Sequence, residues 1–341
     1  MIFKYMYNQV QSSTSESSSV QLRKIKYSKK STRVENNIPR HRRNTLAVLI
    51  LFVATLAVAC GGAVTTAPTE VPAAASPAVD GSGLKTIVAT KELGVGKQRV
   101  AFLLTSPKAL VQVPEVVVTS VFLGEGQAVS ETKSAEFHLW PYGVRGSYVT
   151  EINFDRPGPW RLDVVVEGED VQGKAEAILN VSEQGGVPNI GSIPPLSRNK
   201  TLRSVESIEK LTTDYAPDPD LYQITVEDAV ATGKPTVVVF ASPAFCTSPT
   251  CGPQVDTVSE LKDLHPGEAN FIHVELYDNP QEIQGDLSIA VYHKLVHEWG
   301  LSKIPDWFNE SWTFVLGADG RIAQRFEGFA TLEELDGALR Q

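Results

Sequence analysis

Cysteine is scarce in this sequence of 341 residues, which holds only Cys60, Cys246 and Cys251. Three thiols exclude a disulfide-dense scaffold and, by themselves, a four-cysteine zinc site. Long apolar runs are lacking too. Residues 45–59, TLAVLILFVATLAVA, form a run of fifteen, short of the roughly 20 residues that span a bilayer, so a multi-spanning membrane protein is excluded. Basic residues are few beyond that run. Residues 1–59 hold ten Lys/Arg and two acidic residues, which leaves 21 basic against 38 acidic in the rest, a balance of −17. So acidic a body lacks the basic face that the phosphate backbone requires, and no nucleic-acid partner is expected. Hydrophobic residues at 42% and charged residues at 21% are ordinary for globular chains and exclude a wholly disordered one. The length suggests two domains with additional segments.

Residues 1–43 are rich in Ser and Lys/Arg and have no sustained apolar period. With Arg40, Arg42 and Arg43 as its positive flank, the run at 45–59 fits the apolar core of a secretory signal. It ends in Ala57-Val58-Ala59-Cys60-Gly61-Gly62, which resembles the lipobox of bacterial lipoproteins. The resemblance implies cleavage before Cys60, lipid on Cys60, and a membrane-anchored body on the extracytoplasmic face. Ala57 stands where that family favours Leu, and the long segment before the run points to a start nearer to it. An uncleaved signal anchor with a buried Cys60 is the alternative. Residues 60–84, Ala/Pro-rich and without an aromatic, cannot bury a core and read as an extended tether.

Residues 85–183 read as a β-rich domain. Seven strands are expected, at 85–90, 98–105, 114–123, 135–140, 147–154, 159–167 and 174–181. Two alternate cleanly: Tyr148, Thr150, Ile152 and Phe154 share one face, and Trp160, Leu162, Val164 and Val166 another. That period means one buried and one solvated face, as in an antiparallel sheet. Seven strands in about 100 residues suggest an immunoglobulin-like β-sandwich. The stretch from Gly146 to the strand after Pro159 resembles extracytoplasmic bacterial sandwich modules. His138, between Phe137 and Leu139, reads as structural. Residues 184–220, with several prolines and glycines, read as a linker carrying a short helix at 201–211.

Residues 221–341 alternate between strand-like and helix-like text. Strands are expected at 235–240, 270–276, 312–316 and 322–327. Helices are expected at 226–232, 255–264, 287–299 and 331–339, the last with Thr331 and Glu334 as a capping box. The order resembles the thioredoxin fold over about 110 residues. It rests on Lys234-Pro-Thr-Val-Val-Val-Phe-Ala-Ser-Pro-Ala-Phe-Cys246, Thr313-Phe-Val-Leu with Asp319-Gly320-Arg-Ile322, and Gly328-Phe-Ala-Thr-Leu-Glu-Glu-Leu335. The fold class expected is therefore α+β with two domains, an antiparallel immunoglobulin-like β-sandwich followed by a thioredoxin-like α/β domain.

Two departures from that family matter. Its two cysteines are separated by two residues, whereas here Thr247-Ser-Pro-Thr250 separates Cys246 from Cys251. On one regular helix this spacing gives about 7.5 Å of rise, beyond the about 7 Å Cα limit of a bridge. Residues 247–250 must therefore form a loop, with the helix starting near Pro249 or at Gly252-Pro253. Cys246 then sits at the strand end and Cys251 at the helix start, where the helix N-terminus favours thiolate. The family's cis-proline is also missing, its place being taken by Glu310-Ser311-Trp312-Thr313. The function expected is membrane-anchored thiol–disulfide exchange with an exported thiol or disulfide protein and no cofactor, Cys246 attacking and Cys251 resolving. The reverse order of the two cysteines remains open. One alternative is a Cu(I) metallochaperone using Cys246 and Cys251 with His293 or His297; His273 is a further candidate. The other is a non-catalytic module with a structural disulfide. Trp299, Trp307 and Trp312 are candidates for an apolar rim, Trp312 equally for core.

Overall fold

The computed structural model describes residues 83–126, 130–141, 143 and 145–341. The basic leader, the apolar run, Cys60 and the tether as far as residue 82 lie outside the described residues. Among the described residues no helix is long and apolar enough to cross a membrane.

The first half of the described chain is an eight-stranded sheet. Its strands are β1 (Lys85–Val88), β2 (Leu93–Gly94), β3 (Gly96–Thr105), β4 (Glu115–Phe122), β5 (Ser130–Leu139), β6 (Gly146–Phe154), β7 (Gly158–Glu167) and β8 (Gln172–Ser182). They lie in the order β1-β3-β6-β5-β4-β7-β8-β2. All seven expected strands are present; the two-residue β2 is additional, and it pairs parallel with β8. Because β2 follows β1 in the chain yet closes the far edge, the sheet curls until β1 approaches β8. The curled interior buries Phe102, Tyr148, Ile152, Phe154, Trp160 and Leu162. Tyr148, Ile152, Phe154, Trp160 and Leu162 are among the residues that alternation assigned to one face of their strands. β3 breaks the rule, since Gln98, Arg99, Val100, Ala101 and Phe102 are all buried. Its outer face is covered by the second half of the molecule.

That second half is a four-stranded sheet with helices on both faces. It comprises β9 (Thr236–Ala241), β10 (Asn270–Glu275), β11 (Trp312–Leu316) and β12 (Ile322–Glu327), in the order β10-β9-β11-β12. β10 pairs parallel with β9, while β11 runs antiparallel to β9 and β12. The helices are α1 (Val226–Ala231), α2 (Cys251–Leu264), α3 (Pro280–Ile283), α4 (Lys294–Glu298) and α5 (Leu332–Leu339). Every residue of β9 is buried, as a continuous apolar run requires when both faces are covered. Val237 and Val239 pack toward α2 and α5, Val238 and Phe240 toward α1 and α4. The capping box of α5 is present, with Thr331 and Glu334 exchanging backbone bonds.

Two expected helices are replaced. Residues 287–299 were expected as one amphipathic helix but form a 3-10 turn at Leu287–Ile289, an extended stretch and the short α4. The side chain of Asn279 takes the backbone of Ile289 and Val291, and Tyr292 pairs with Tyr277. These bonds hold the chain extended where a helix would continue. Residues 201–211 hold only a 3-10 turn, Ile208–Lys210. The stretch from 184 to 220 packs firmly: Val187 and Leu211 are buried in the second half's cores. Gly191 and Ser192 exchange backbone bonds with Ile322 at the edge of β12.

Both sheets belong to one compact unit, and polar groups join them. Arg99 of β3 forms a largely buried ion pair with Glu334 of α5 at 2.7 Å and donates to the Phe329 carbonyl. His138 Nδ1 meets the same carboxylate at 3.2 Å, a structural role. Arg325 Nη2 donates to Gln98 Oε1 at 2.9 Å. Glu327 Oε2 accepts from the backbone N–H groups of Lys91 and Glu92.

Candidate functional site

β9 delivers the chain to the site. After Ala241 it enters a loop through residues 242–250, and α2 begins at Cys251 with Thr250 as the residue before it. Cys246 therefore lies in the loop, five positions beyond the strand, rather than at the strand end expected from the sequence. Cys251 does occupy the helix start. The two form a disulfide with Cα atoms 5.9 Å apart, which the looped spacer makes possible. They differ in access: Cys251 is 0% exposed, whereas Cys246 is half-buried.

A second segment, residues 305–311, crosses in front of the pair before β11. The Asn309 carbonyl oxygen is 3.4 Å from Cys251 Sγ, and the Thr247 hydroxyl donates to the Phe308 carbonyl. Glu310 Oε1 accepts from Ser248 Oγ at 2.7 Å and from Thr250 Oγ1 at 3.1 Å. The spacer hydroxyls thereby aim a carboxylate at the disulfide. Ligand atoms of Cys246, Cys251 and Glu310 all lie within 4.8 Å of one another. No cis peptide occurs among the described residues.

Asn309 fixes this segment. Its φ of 54° is left-handed, a conformation Asn adopts more readily than most residues. Its side chain, fully buried, donates to the Phe245 carbonyl at 3.2 Å and to the Tyr277 hydroxyl, and accepts from Tyr292 Oη at 2.8 Å. Tyr277 and Tyr292 are stacked with centroids 5.4 Å apart, and Trp307 continues the cluster. Burial pushes the Tyr277 phenol up to about 12, so it stays neutral and serves as a hydrogen-bonding post.

The near side of the loop rests on Thr213, whose hydroxyl accepts from the Ala244 N–H and donates to Glu275 Oε2 at 2.8 Å. Burial pushes the Glu275 carboxyl up to about 7. Beside the loop, Thr213, Asp214, Tyr215, Pro243, Gly252 and Pro253 line an open cleft of about 470 Å³.

The histidines proposed from sequence as copper ligands stand elsewhere. His293 caps α4, its Nδ1 accepting from the Leu295 N–H, and burial lowers it to about 4. His297 bonds Ser302 at 2.8 Å. They share no helix face, because His293 precedes the helix, and neither joins the cysteine group. His273 is held between Tyr222 Oη at 2.7 Å and the Ala241 carbonyl at 3.1 Å. The apolar rim is corrected likewise: Trp299 and Trp312 are core residues, Trp307 is half-buried, and the exposed aromatics beside the site are Phe308 and Tyr215. Glu310, named in the sequence only as filling a proline's place, is the group that sequence reasoning missed. No signal near the cysteines could have found it, since it lies 59 positions beyond Cys251.

No protein-family model matches the chain, and no curated protein matches it. The pair's geometry is compatible with a redox or a disulfide role.

Proposed function

We propose that the chain is a thioredoxin-like thiol–disulfide exchange protein of the extracytoplasmic face, carried on lipid at Cys60. In this reading the curled sheet is an immunoglobulin-like sandwich and the partner is an exported thiol or disulfide protein. The observation that carries the proposal is the asymmetry of the pair. Cys246 is only half-buried, whereas Cys251 is fully buried at the first position of a fourteen-residue helix.

Starting from the reduced pair, the Cys246 thiolate attacks a partner disulfide, forming a mixed disulfide and expelling one partner thiolate. The Cys251 thiolate then attacks Cys246 Sγ. The Cys246–Cys251 bond forms, the mixed disulfide breaks, and the partner leaves as a dithiol after taking up two protons, two electrons having passed to it. The same steps reversed oxidise a partner dithiol. In that direction Cys251 is the leaving group, and the unpaired N–H groups of α2 favour its thiolate. A carboxylate oxygen of Glu310 lies within 4.8 Å of both sulfurs, a span across which one water could relay their protons. The cleft beside Pro243 and Pro253 is the place where a partner segment would lie.

Trapping tests the assignment. On a Cys60→Ser background, Cys251→Ser treated with glutathione disulfide should accumulate a stable mixed disulfide on Cys246. Cys246→Ser should form little, because its remaining thiol is buried. Equal trapping by both variants, or trapping on Cys251 alone, contradicts the assignment.

A further inference from the structure

We propose that the reduced pair, together with Glu310, is a binding site for Zn(II), so that the same loop alternates between a disulfide and a metal-held dithiolate. The inference rests on the pair being reducible and goes beyond exchange with a partner.

The ligand set is already assembled. Cys246, Cys251 and Glu310 place one ligand atom each within 4.8 Å of the others. Tetrahedral Zn(II), with bonds of about 2.3 Å to sulfur and about 2.1 Å to oxygen, needs S···S near about 3.8 Å and S···O near about 3.6 Å. Breaking the disulfide lets the sulfurs separate to that distance, and the spacer 247–250 lies outside any helix, so it has room to adjust. The carboxylate is held from behind. Ser248 and Thr250 both donate to Oε1, and the Ser311 N–H approaches the same oxygen. Such outer bonds orient a metal-ligating carboxylate and leave its other oxygen for the ion.

The chemistry of the set selects the metal. Two thiolates suit the soft Cu(I) ion, whereas a carboxylate oxygen is a hard ligand that suits it poorly. Zn(II) accepts thiolate and carboxylate together. His293 and His297, which would complete a copper site, are bound to other groups. Three protein ligands leave the fourth position to water. Two thiolates and one carboxylate carry −3, so the bound ion leaves −1. Loading displaces the two thiol protons to solvent and consumes no electrons. The reductant that opens the site is a dithiol or, in the test, a phosphine. A zinc-held pair is withdrawn from disulfide exchange until the ion leaves.

The test uses the full chain carrying Cys60→Ser, reduced with a phosphine and freed of reductant under nitrogen, with thiols counted before metal is added. Zn(II) should bind at one ion per chain. Co(II) in its place should give the intense ligand-field bands of a tetrahedral thiolate site. Glu310→Gln should weaken Zn(II) at least about tenfold, the lower bound for groups that support a metal site, while both thiols still titrate. Glu310→Asp, which keeps the carboxylate, should fall between; it serves as the test if the Gln variant fails to fold. Unchanged affinity in Glu310→Gln, or Cu(I) bound tightly with no dependence on Glu310, overturns the carboxylate site. Two free thiols that exchange with glutathione yet hold no Zn(II) overturn this proposal and leave the exchange reading standing. Thiols that no phosphine liberates from the folded chain overturn both.

Discussion

At the scale of single residues the site depends on Asn309. Its backbone takes a left-handed turn, and its buried amide bonds the Phe245 carbonyl, Tyr277 and Tyr292. One of these partners, Phe245, lies in the cysteine loop, so this side chain joins the hydroxyls of Thr247, Ser248 and Thr250 in holding Glu310 near the sulfurs. Asn309→Ala loses these bonds, at about 1 kcal/mol each, and with them the tolerance of Asn for left-handed backbone, up to about 1 kcal/mol more. The variant should be about 3–4 kcal/mol less stable in urea unfolding, with Asn309→Gly losing less because the backbone cost vanishes. Equal losses in the two variants would show that the backbone conformation contributes nothing. The cysteines were legible in the sequence because thiol chemistry is confined to one residue type and Cys246 and Cys251 are close in the chain. Glu310 was not, since nothing in a lone glutamate marks it. It reaches the site because β11 lies antiparallel beside β9.

At the scale of elements, β3 and α5 join the two sheets. In the Arg99–Glu334 pair the guanidinium is buried and the carboxylate largely so, and Arg99 also lies over the Phe326 ring at 5.5 Å. The Glu334 carboxyl is desolvated, but Arg99 and His138 more than offset this and hold it down to about 2. Its pKa is thus below the unfolded value of 4.5, so its stabilisation is complete above about pH 4.5 and is lost as pH falls toward about 2. Arg99→Met leaves the carboxylate buried without its cation and should cost about 3–5 kcal/mol at pH 7. That deficit relative to wild type should shrink as pH falls from about 4.5 toward 2, because protonation of Glu334 removes the uncompensated charge while the wild type loses its ion pair. Arg99→Met with Glu334→Gln, which keeps the capping geometry, should recover much of that loss. Urea unfolding at pH 7 and pH 3 reads both effects, and a single variant as stable as wild type would refute the role of the pair. Strand positions were legible because a curled sheet keeps one face dry and enforces alternation, as in β7. The helix expected at 287–299 was misread for a tertiary reason. Apolar spacing there suits a helix, yet Asn279 and the Tyr277–Tyr292 pairing hold the backbone extended. The burial of both faces of β3 was equally invisible, because it depends on the second sheet.

At the scale of the whole molecule, the first sheet reaches the loop that faces the disulfide. Lys91, just before β2, donates from Nζ to the Asp306 carbonyl at 2.6 Å, and its N–H joins that of Glu92 on Glu327. Residues 305–311 are thus held from the curled sheet on one side and by Asn309 on the other. In the exchange reading this makes the first sheet a brace for the site. The central claim is that the Cys246–Cys251 bond is made and broken in the protein's working cycle. The most direct test is its reduction potential, measured on the full chain with Cys60→Ser by equilibration against glutathione redox buffers, with metal assayed on the same sample. The account predicts a reversible two-electron couple between about −270 and −120 mV, the range spanned by exchange proteins. A potential below about −300 mV, where structural disulfides lie, would contradict it and make the bond a fixed staple of the loop.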